Sequence, residues 1–191
     1  FSRVDPQGLH VVPFKKPTTE ELDHDFLWRV HKEVPAKGQI AIFNRSHYED
    51  IIAVRVKKIF PDPVWKRRYK HVLDFEAMLA EEGTVIIKLF LNISKAEQKK
   101  RLESRLQDPD KLWKFCMDDL DDRNRWDEFQ TAYQDLIEKT STPEAPWYII
   151  PADRKWYRNL VVARLMVEKL RHLQLSLPTP NFDPASIIIP D

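Results

Sequence analysis

Glycine is scarce. Only Gly8, Gly38 and Gly83 occur in 191 residues, where ordinary usage of about 7% would supply about 13. No Gly-x-Gly-x-x-Gly and no Gly-x-x-x-x-Gly-Lys string is present, so no Gly-rich phosphate loop lies in this chain. One cysteine, Cys116, excludes an intrachain disulfide and suits a reducing, cytoplasmic setting. Cys116 also has no companions at metal-ligand spacing. Long apolar runs are missing too. The longest lie near 84–91 and 187–189, far short of a membrane span, and no signal peptide is visible. Neither sign of charge dominates, with 31 basic against 30 acidic side chains. Bulk charge therefore favours no polyanion, and any such binding must come from local clusters.

What is present is a soluble globular composition, 42% hydrophobic and 32% charged, in a chain long enough for a real core. A β-branched run predicts a strand over 9–14. Thr18-Thr19-Glu20-Glu21 opens a helix over 20–33 carrying Leu22, Phe26, Leu27 and Val30, and Pro35 and Gly38 stop it. A strand follows over 39–43, then a helix over 48–58, ended by Pro61 and Pro63. A longer helix over 65–82 sets Trp65, Tyr69 and Leu79 on one broad face, with Gly83 as C-cap. The most hydrophobic strand, 84–91, reads as central. Strand–helix–strand–helix–helix–strand predicts an α/β fold with a mostly parallel sheet covered on both faces.

Ser94 and Glu97 then open a helix whose surface carries Lys95, Lys99, Lys100, Arg101 and Arg105. After a break at Asp108-Pro109-Asp110, Lys111 and Lys114 flank Leu112 and Trp113. A helix from Asp118 carries Trp126, Phe129 and Tyr133 to about Glu138. A short strand over 147–150 and a helix over 156–172 complete the pattern. The tail from Ser176 holds four of the 14 prolines and reads as an extended arm.

The stretch Ile42-Phe43-Asn44-Arg45-Ser46-His47-Tyr48-Glu49-Asp50 carries the densest chemistry. It lies beyond the carboxyl end of a strand, where α/β proteins place ligands. One reading makes Ser46 an N-cap, Glu49 its capping-box partner and Arg45 a surface mate of Glu49. The other sets Asn44 and Arg45 against an anion, with the helix N-terminus behind them. Glu49 or Asp50 could then serve the acceptor side or hold a metal-bound water. Lys15 and Lys16 follow the first strand at the same edge, as solubilising charge or as phosphate ligands. Asp25 and Arg29 are four apart, the spacing of a surface pair. Arg101 and Arg105 share one helical face, and like charges so gathered favour an anion opposite. Trp113 and Trp126 read as apolar anchors of that charged segment. Asp118, Asp119, Asp121 and Asp122 do not have calcium-loop spacing and read as an acidic helix start. Asp153 caps the last helix or meets a nucleotide.

Several long strings together resemble the family 2 polyphosphate kinases, the branch acting on AMP and ADP. They are 21–29 (ELDHDFLWR), 42–50, Asp108-Pro109-Asp110-Lys111-Leu112-Trp113-Lys114, Thr142-Pro143-Glu144-Ala145-Pro146-Trp147-Tyr148, and 151–159 (PADRKWYRN). The resemblance implies a P-loop-kinase-like parallel sheet flanked by helices, with a core over 1–93 and 140–175, a helical lid over 94–139 and an arm over 176–191. It implies phosphate binding by Asn44 and Arg45, an acceptor-side carboxylate in Glu49, lid arginines in Arg101 and Arg105, and a polyphosphate path along Lys111 and Lys114. Lys15 and Lys16 join the phosphate set, and Asp25, Arg29, Glu49 and Asp153 the nucleotide set. Magnesium, or manganese, would bridge donor and acceptor phosphates, with Asp50 a candidate ligand. AMP, ADP or ATP and polyphosphate are the implied partners, in a homo-oligomer with no nucleic acid and no membrane.

The family's first strand and its Gly-x-Asp-x-x-Gly-Lys loop are missing from these residues. The chain is therefore expected to be a fragment or processed form with a damaged sheet and little or no kinase activity alone. Two rivals remain: an ATP-dependent nucleotide or nucleoside monophosphate kinase, and a non-enzymatic polyanion-binding module.

Overall fold

The computed structural model describes residues 6–176, 179–187, 189 and 190. Strand β1 (Leu9–Pro13) pairs in parallel with β2 (Ile40–Asn44), Pro13 opposite Asn44. Phe14 N–H extends this ladder to the Asn44 carbonyl at 3.1 Å. Lys15 and Arg45 thus leave the sheet at the same end.

The single helix expected over 20–33 is two short ones, α1 (Thr19–Leu22) and α2 (Trp28–His31). Thr18 and Glu21 do form a reciprocal capping box. The break comes from Asp25, whose Oδ1 accepts from Leu27 N–H at 2.9 Å. That side-chain turn competes with the helical ladder.

After β2 come α3 (Glu49–Val56) and α4 (Asp62–Glu81). Pro63, expected as a stop, sits in the first turn of α4, where its missing N–H leaves no partner unsatisfied. Strand β3 (Lys88–Asn92) starts later than the apolar run suggests. Helix α5 (Lys95–Gln107) is capped by Ser94 Oγ, which accepts from Glu97 N–H at 3.1 Å. A 3-10 segment (Pro109–Lys114) leads to α6 (Asp118–Asn124) and α7 (Trp126–Thr140), two helices where one was expected. Their junction, Arg125, leaves helical geometry, and its guanidinium donates to the Val56 carbonyl at 2.8 Å. Strand β4 (Trp147–Pro151) and α8 (Lys155–His172) follow.

The α/β class holds, but the described strands form two two-stranded sheets, β1–β2 and β3–β4, where one sheet was expected. Among the described residues no strand bridges β2 to β3, so no ladder joins the two pairs.

The chain divides into two compact units, one of residues 1–90 and 94–149, the other of 91–93 and 150–191. In the first, α3, α4 and α7 meet around Ile51, Val72 and Leu136. Each such side chain contributes about 1.5–3 kcal/mol by leaving water. A second cluster, Val12, Phe14, Val30 and Phe75, fastens β1 to α2 and α4. Together they fix both ends of the turn between β2 and α3. In the second unit Ile150 and Ala152 are buried, and Ala152 N–H donates to the Asn92 carbonyl at 2.8 Å. Helix α8 buries none of its residues fully.

Candidate active site

At the tip of β2 the backbone reverses through Arg45, at φ 63°. A left-handed conformation costs a non-glycine residue about 1–2 kcal/mol. Glycine would relieve that strain, and the chain places arginine there instead. Asn44 and Arg45 are both exposed.

The capping box expected from Ser46 and Glu49 does not form. Helix α3 begins after Tyr48 with no side-chain cap, and Glu49 and Asp50 N–H donate to the Ser46 and His47 carbonyls at 3.0 and 3.1 Å. These tight backbone turns satisfy the first amides and leave the Glu49 carboxylate for other work. Burial raises the Glu49 pKa above its ordinary value; Arg45 and Lys57 pull it back, while Asp50 and Asp122 push it up. Burial also lifts the Tyr133 phenol well above its usual range, with Glu49 and Asp122 adding to the rise and Arg45 opposing it. Arg45, Glu49, Lys57, Asp122 and Tyr133 therefore share one electrostatic neighbourhood. Lys57 and Asp122 close it with an ion pair at 2.7 Å.

A raised carboxyl pKa has a definite sign. Between pH 4.5, the unperturbed value, and the folded-state value, the native state holds the extra proton, so stability falls as pH rises through that window. Ionised Glu49 is then a standing penalty at neutral pH. Glu49→Gln is expected to raise Tm at neutral pH, and the gain should vanish near pH 4 (about the carboxyl range). Thermal melts at the two pH values check this.

A second cluster surrounds Asp50. Its Oδ2 accepts from Arg29 Nη2 at 3.1 Å, and its carbonyl accepts from Arg68 Nη1 at 2.5 Å. Arg29 also donates to the Lys15 carbonyl at 2.9 Å and lies 3.7 Å from Glu21 Oε2. Arg29 was expected in register with Asp25; the break between α1 and α2 removes that register. It is instead buried, at 8% exposure, tying the end of β1 to the start of α3. Lys15 and Lys16 are exposed. Asp25 lines a shallow surface pocket of about 550 Å³ with Trp28 and Phe75.

The basic segment is internally paired. Arg101 Nε is 2.8 Å from Glu97 Oε1, and Arg105 Nη1 is 3.1 Å from Asp119 Oδ2. Lys111 pairs with Asp108, and Lys114 lies over the Trp113 ring at 4.9 Å. Trp113, expected as an apolar anchor, is 78% exposed. The 3-10 segment turns its ring outward, with Nε1 bonded to the Asp110 carbonyl at 3.0 Å. Asp153 belongs to the second unit.

The structure thus unites Arg45 with Glu49, and Arg29 with Asp50 and the Lys15 backbone. Arg101 and Arg105 stay with acidic partners of their own segment. Magnesium is not fitted by these side chains: among the described residues no three His, Cys, Asp or Glu converge, and Asp50 is taken by Arg29 and Arg68. Sequence reasoning gave no site role to Arg68, Tyr133, Lys88 or Glu76. Arg68 had a faint signal, since it lies one residue before Tyr69 and three after Trp65 on the buried side of α4. Lys88 had one too, as a lone cation in an apolar run.

Comparison with known proteins decides the family. The polyphosphate kinase 2 family model matches residues 1–177. The chain belongs to the polyphosphate kinase 2 family. It is 52% identical to the AMP/ADP-polyphosphate phosphotransferase of Meiothermus ruber over 99% of this chain and 71% of that protein. It is 39% identical to the ADP-polyphosphate phosphotransferase of Rhodopseudomonas palustris, covering 93% of this chain and 66% of the relative. The crystal structure of polyphosphate kinase 2 from Arthrobacter aurescens TC1 superposes with a TM-score of 0.92 at 49% identity, over 95% of this chain and 64% of that one. The chain therefore spans about two thirds of the length of these family members. Among the described residues no helix is long and apolar enough to cross a membrane.

Proposed function

We propose that the protein moves a phosphoryl group between inorganic polyphosphate and AMP or ADP. The strained turn at Arg45 carries this reading. An exposed guanidinium held at the carboxyl end of a parallel strand, beside a carboxylate raised by burial, is suited to a phosphate row on one side and an acceptor on the other. In the forward direction a terminal phosphate oxygen of the nucleotide attacks the end phosphorus of polyphosphate in line. The bond to the bridging oxygen breaks, and the polymer leaves one unit shorter. No protein nucleophile is required; alignment and positive charge supply the catalysis.

Asn44 and Arg45 hold phosphate oxygens and Glu49 faces the acceptor, with Asp25 as a further nucleotide contact. Arg29 acts from its buried place under Asp50. Residues 94–139 act as a lid. Closure exchanges the Glu97 and Asp119 partners of Arg101 and Arg105 for polyphosphate, with Lys15, Lys16, Lys111 and Lys114 along its path. Magnesium or manganese would draw its ligands chiefly from phosphate oxygens, which suits a hard cation that needs few protein carboxylates. A homo-oligomer in the cytoplasm completes the proposal.

The test is phosphorylation of AMP and ADP with long-chain polyphosphate as the only donor. Transfer without ATP supports the reading; transfer from ATP alone would make the protein an ordinary nucleotide kinase, and binding without transfer a polyanion module. The assay is run on the 191 residues with and without an upstream strand and phosphate-loop segment. Arg101→Ala should lower turnover by about 10-fold or more, as loss of one charge-stabilising donor does. Its partly exposed pair with Glu97 contributes only about 0.5 kcal/mol, so turnover should fall by more than stability. A variant that melts well below wild type with unchanged turnover would place Arg101 in the scaffold instead.

A further inference from the structure

Behind the Arg45–Glu49 turn lies a charged chain that no proposed catalytic role uses. Lys88 on β3 and Glu76 on α4 are 5% and 4% exposed. Lys88 Nζ donates to Glu76 Oε2 at 2.7 Å and to the Thr140 carbonyl at 2.6 Å. The Tyr48 hydroxyl donates to Glu76 Oε1. Thr140 Oγ1 donates to the Leu136 carbonyl at 2.7 Å and accepts from Trp147 Nε1 at 2.8 Å. The Tyr48 and Trp147 rings pack with centroids 4.8 Å apart. His47 is buried beside this chain, its Nε2 3.7 Å from Glu76 Oε1, and neither ring nitrogen has a hydrogen-bond partner among the described residues.

An apolar core would hold these helices at least as well, since a buried ion pair is weak evidence for stability. Its placement suggests another task. One end meets Tyr48, the residue before Glu49 and three after Arg45. The other end meets the last carbonyl of α7, where the proposed lid returns to the core. A cation there complements the helix C-terminus and satisfies an end carbonyl.

We propose that Lys88, Glu76 and Tyr48 are positioning residues: a buried charge relay that fixes the β2–α3 turn and ties it to the end of the lid. The proposal rests on the phosphotransferase reading for its kinetic consequence and on geometry alone for its mechanical one. Without the relay, Arg45 and Glu49 keep their chemistry and lose their aim, and a misplacement of about 1 Å can reduce rate by about 100-fold.

The test variant is Glu76→Leu/Lys88→Met, which removes both charges together so that neither is left buried alone. Its Tm, its backbone hydrogen exchange and its kinetics are measured beside wild type. The expected result is faster exchange at 45–50 and 138–142, with kcat for transfer from polyphosphate lowered about 10-fold or more and KM for polyphosphate within about 2-fold. Unchanged exchange and unchanged kcat in a folded variant would overturn the proposal. If the double variant does not fold, Tyr48→Phe keeps the ring against Trp147 and removes only the hydroxyl. It should show the same exchange at 45–50 and a smaller kcat loss; wild-type behaviour would again overturn the proposal. If wild type itself does not transfer from polyphosphate, the functional reading fails, and the exchange data still decide whether the relay holds the turn.

Discussion

Arg45→Ala is expected to lower turnover with polyphosphate by about 10²- to 10³-fold, the loss typical of removing a preorganised donor aimed at transition-state charge. The stability change should be small, because the arginine is exposed and alanine inherits the same left-handed backbone at φ 63°. Arg45→Gly separates the two roles. It should lose the same activity yet gain about 1 kcal/mol of stability, since glycine adopts positive φ without a Cβ clash. Equal activity loss with a stability gain in the glycine variant alone would identify Arg45 as a residue kept at the turn for its side chain. A glycine variant with near wild-type turnover would assign the turn a purely conformational role.

The largest stability effect is expected from Lys88→Met alone. It takes away the ammonium partner of Glu76, which is 4% exposed, and leaves beside it the Tyr48 hydroxyl and, at 3.7 Å, the His47 ring. Breaking a buried pair by removing one partner costs about 3–5 kcal/mol. At about 2–4 °C per kcal/mol for a chain of this length, denaturation should come roughly 10 °C lower. Adding Glu76→Leu should recover most of the loss, because the unpaired charge goes with it. A single variant as stable as wild type would mean that the Lys88–Glu76 pair does not hold the fold. The pair is therefore tested twice, once for stability through the single variant and once for aim through the double one.

Much of this was legible from residue order. The Thr18–Glu21 box, the Ser94 cap and the apolar face of α4 all follow from local pattern, because each is set by neighbours close in sequence, while the parallel pairing of β1 with β2 follows from the alternation of strands and helices. The misses share a cause. Asp25 broke a helix that apolar spacing favoured, since its side chain satisfied a backbone amide two residues on. Arg29, buried, and Arg68, half-buried, became partners of Asp50 only because β1, α2, α3 and α4 converge there, and nothing local to any one of them says so. Lys88 and Glu76 are 12 residues apart and joined across the core; sequence spacing carries no signal for such a pair. The acid and base at the β2 tip could be picked out by type and place. That Glu49 is raised by burial, and that Tyr133 shares its field, required the packing of α7 against α3 and the Lys57–Asp122 pair.

The central claim is that Arg45 and the lid arginines act on one row of phosphates. It is tested most directly by a double-mutant cycle of Arg45→Ala and Arg101→Ala in the whole protein. The readout is kcat/KM for AMP with polyphosphate as sole donor. Residues engaging a shared ligand should couple, with the double variant departing from the sum of the singles by about 1 kcal/mol or more. Effects that add to within about 0.5 kcal/mol would mean that the two arginines serve separate events, and would contradict the account.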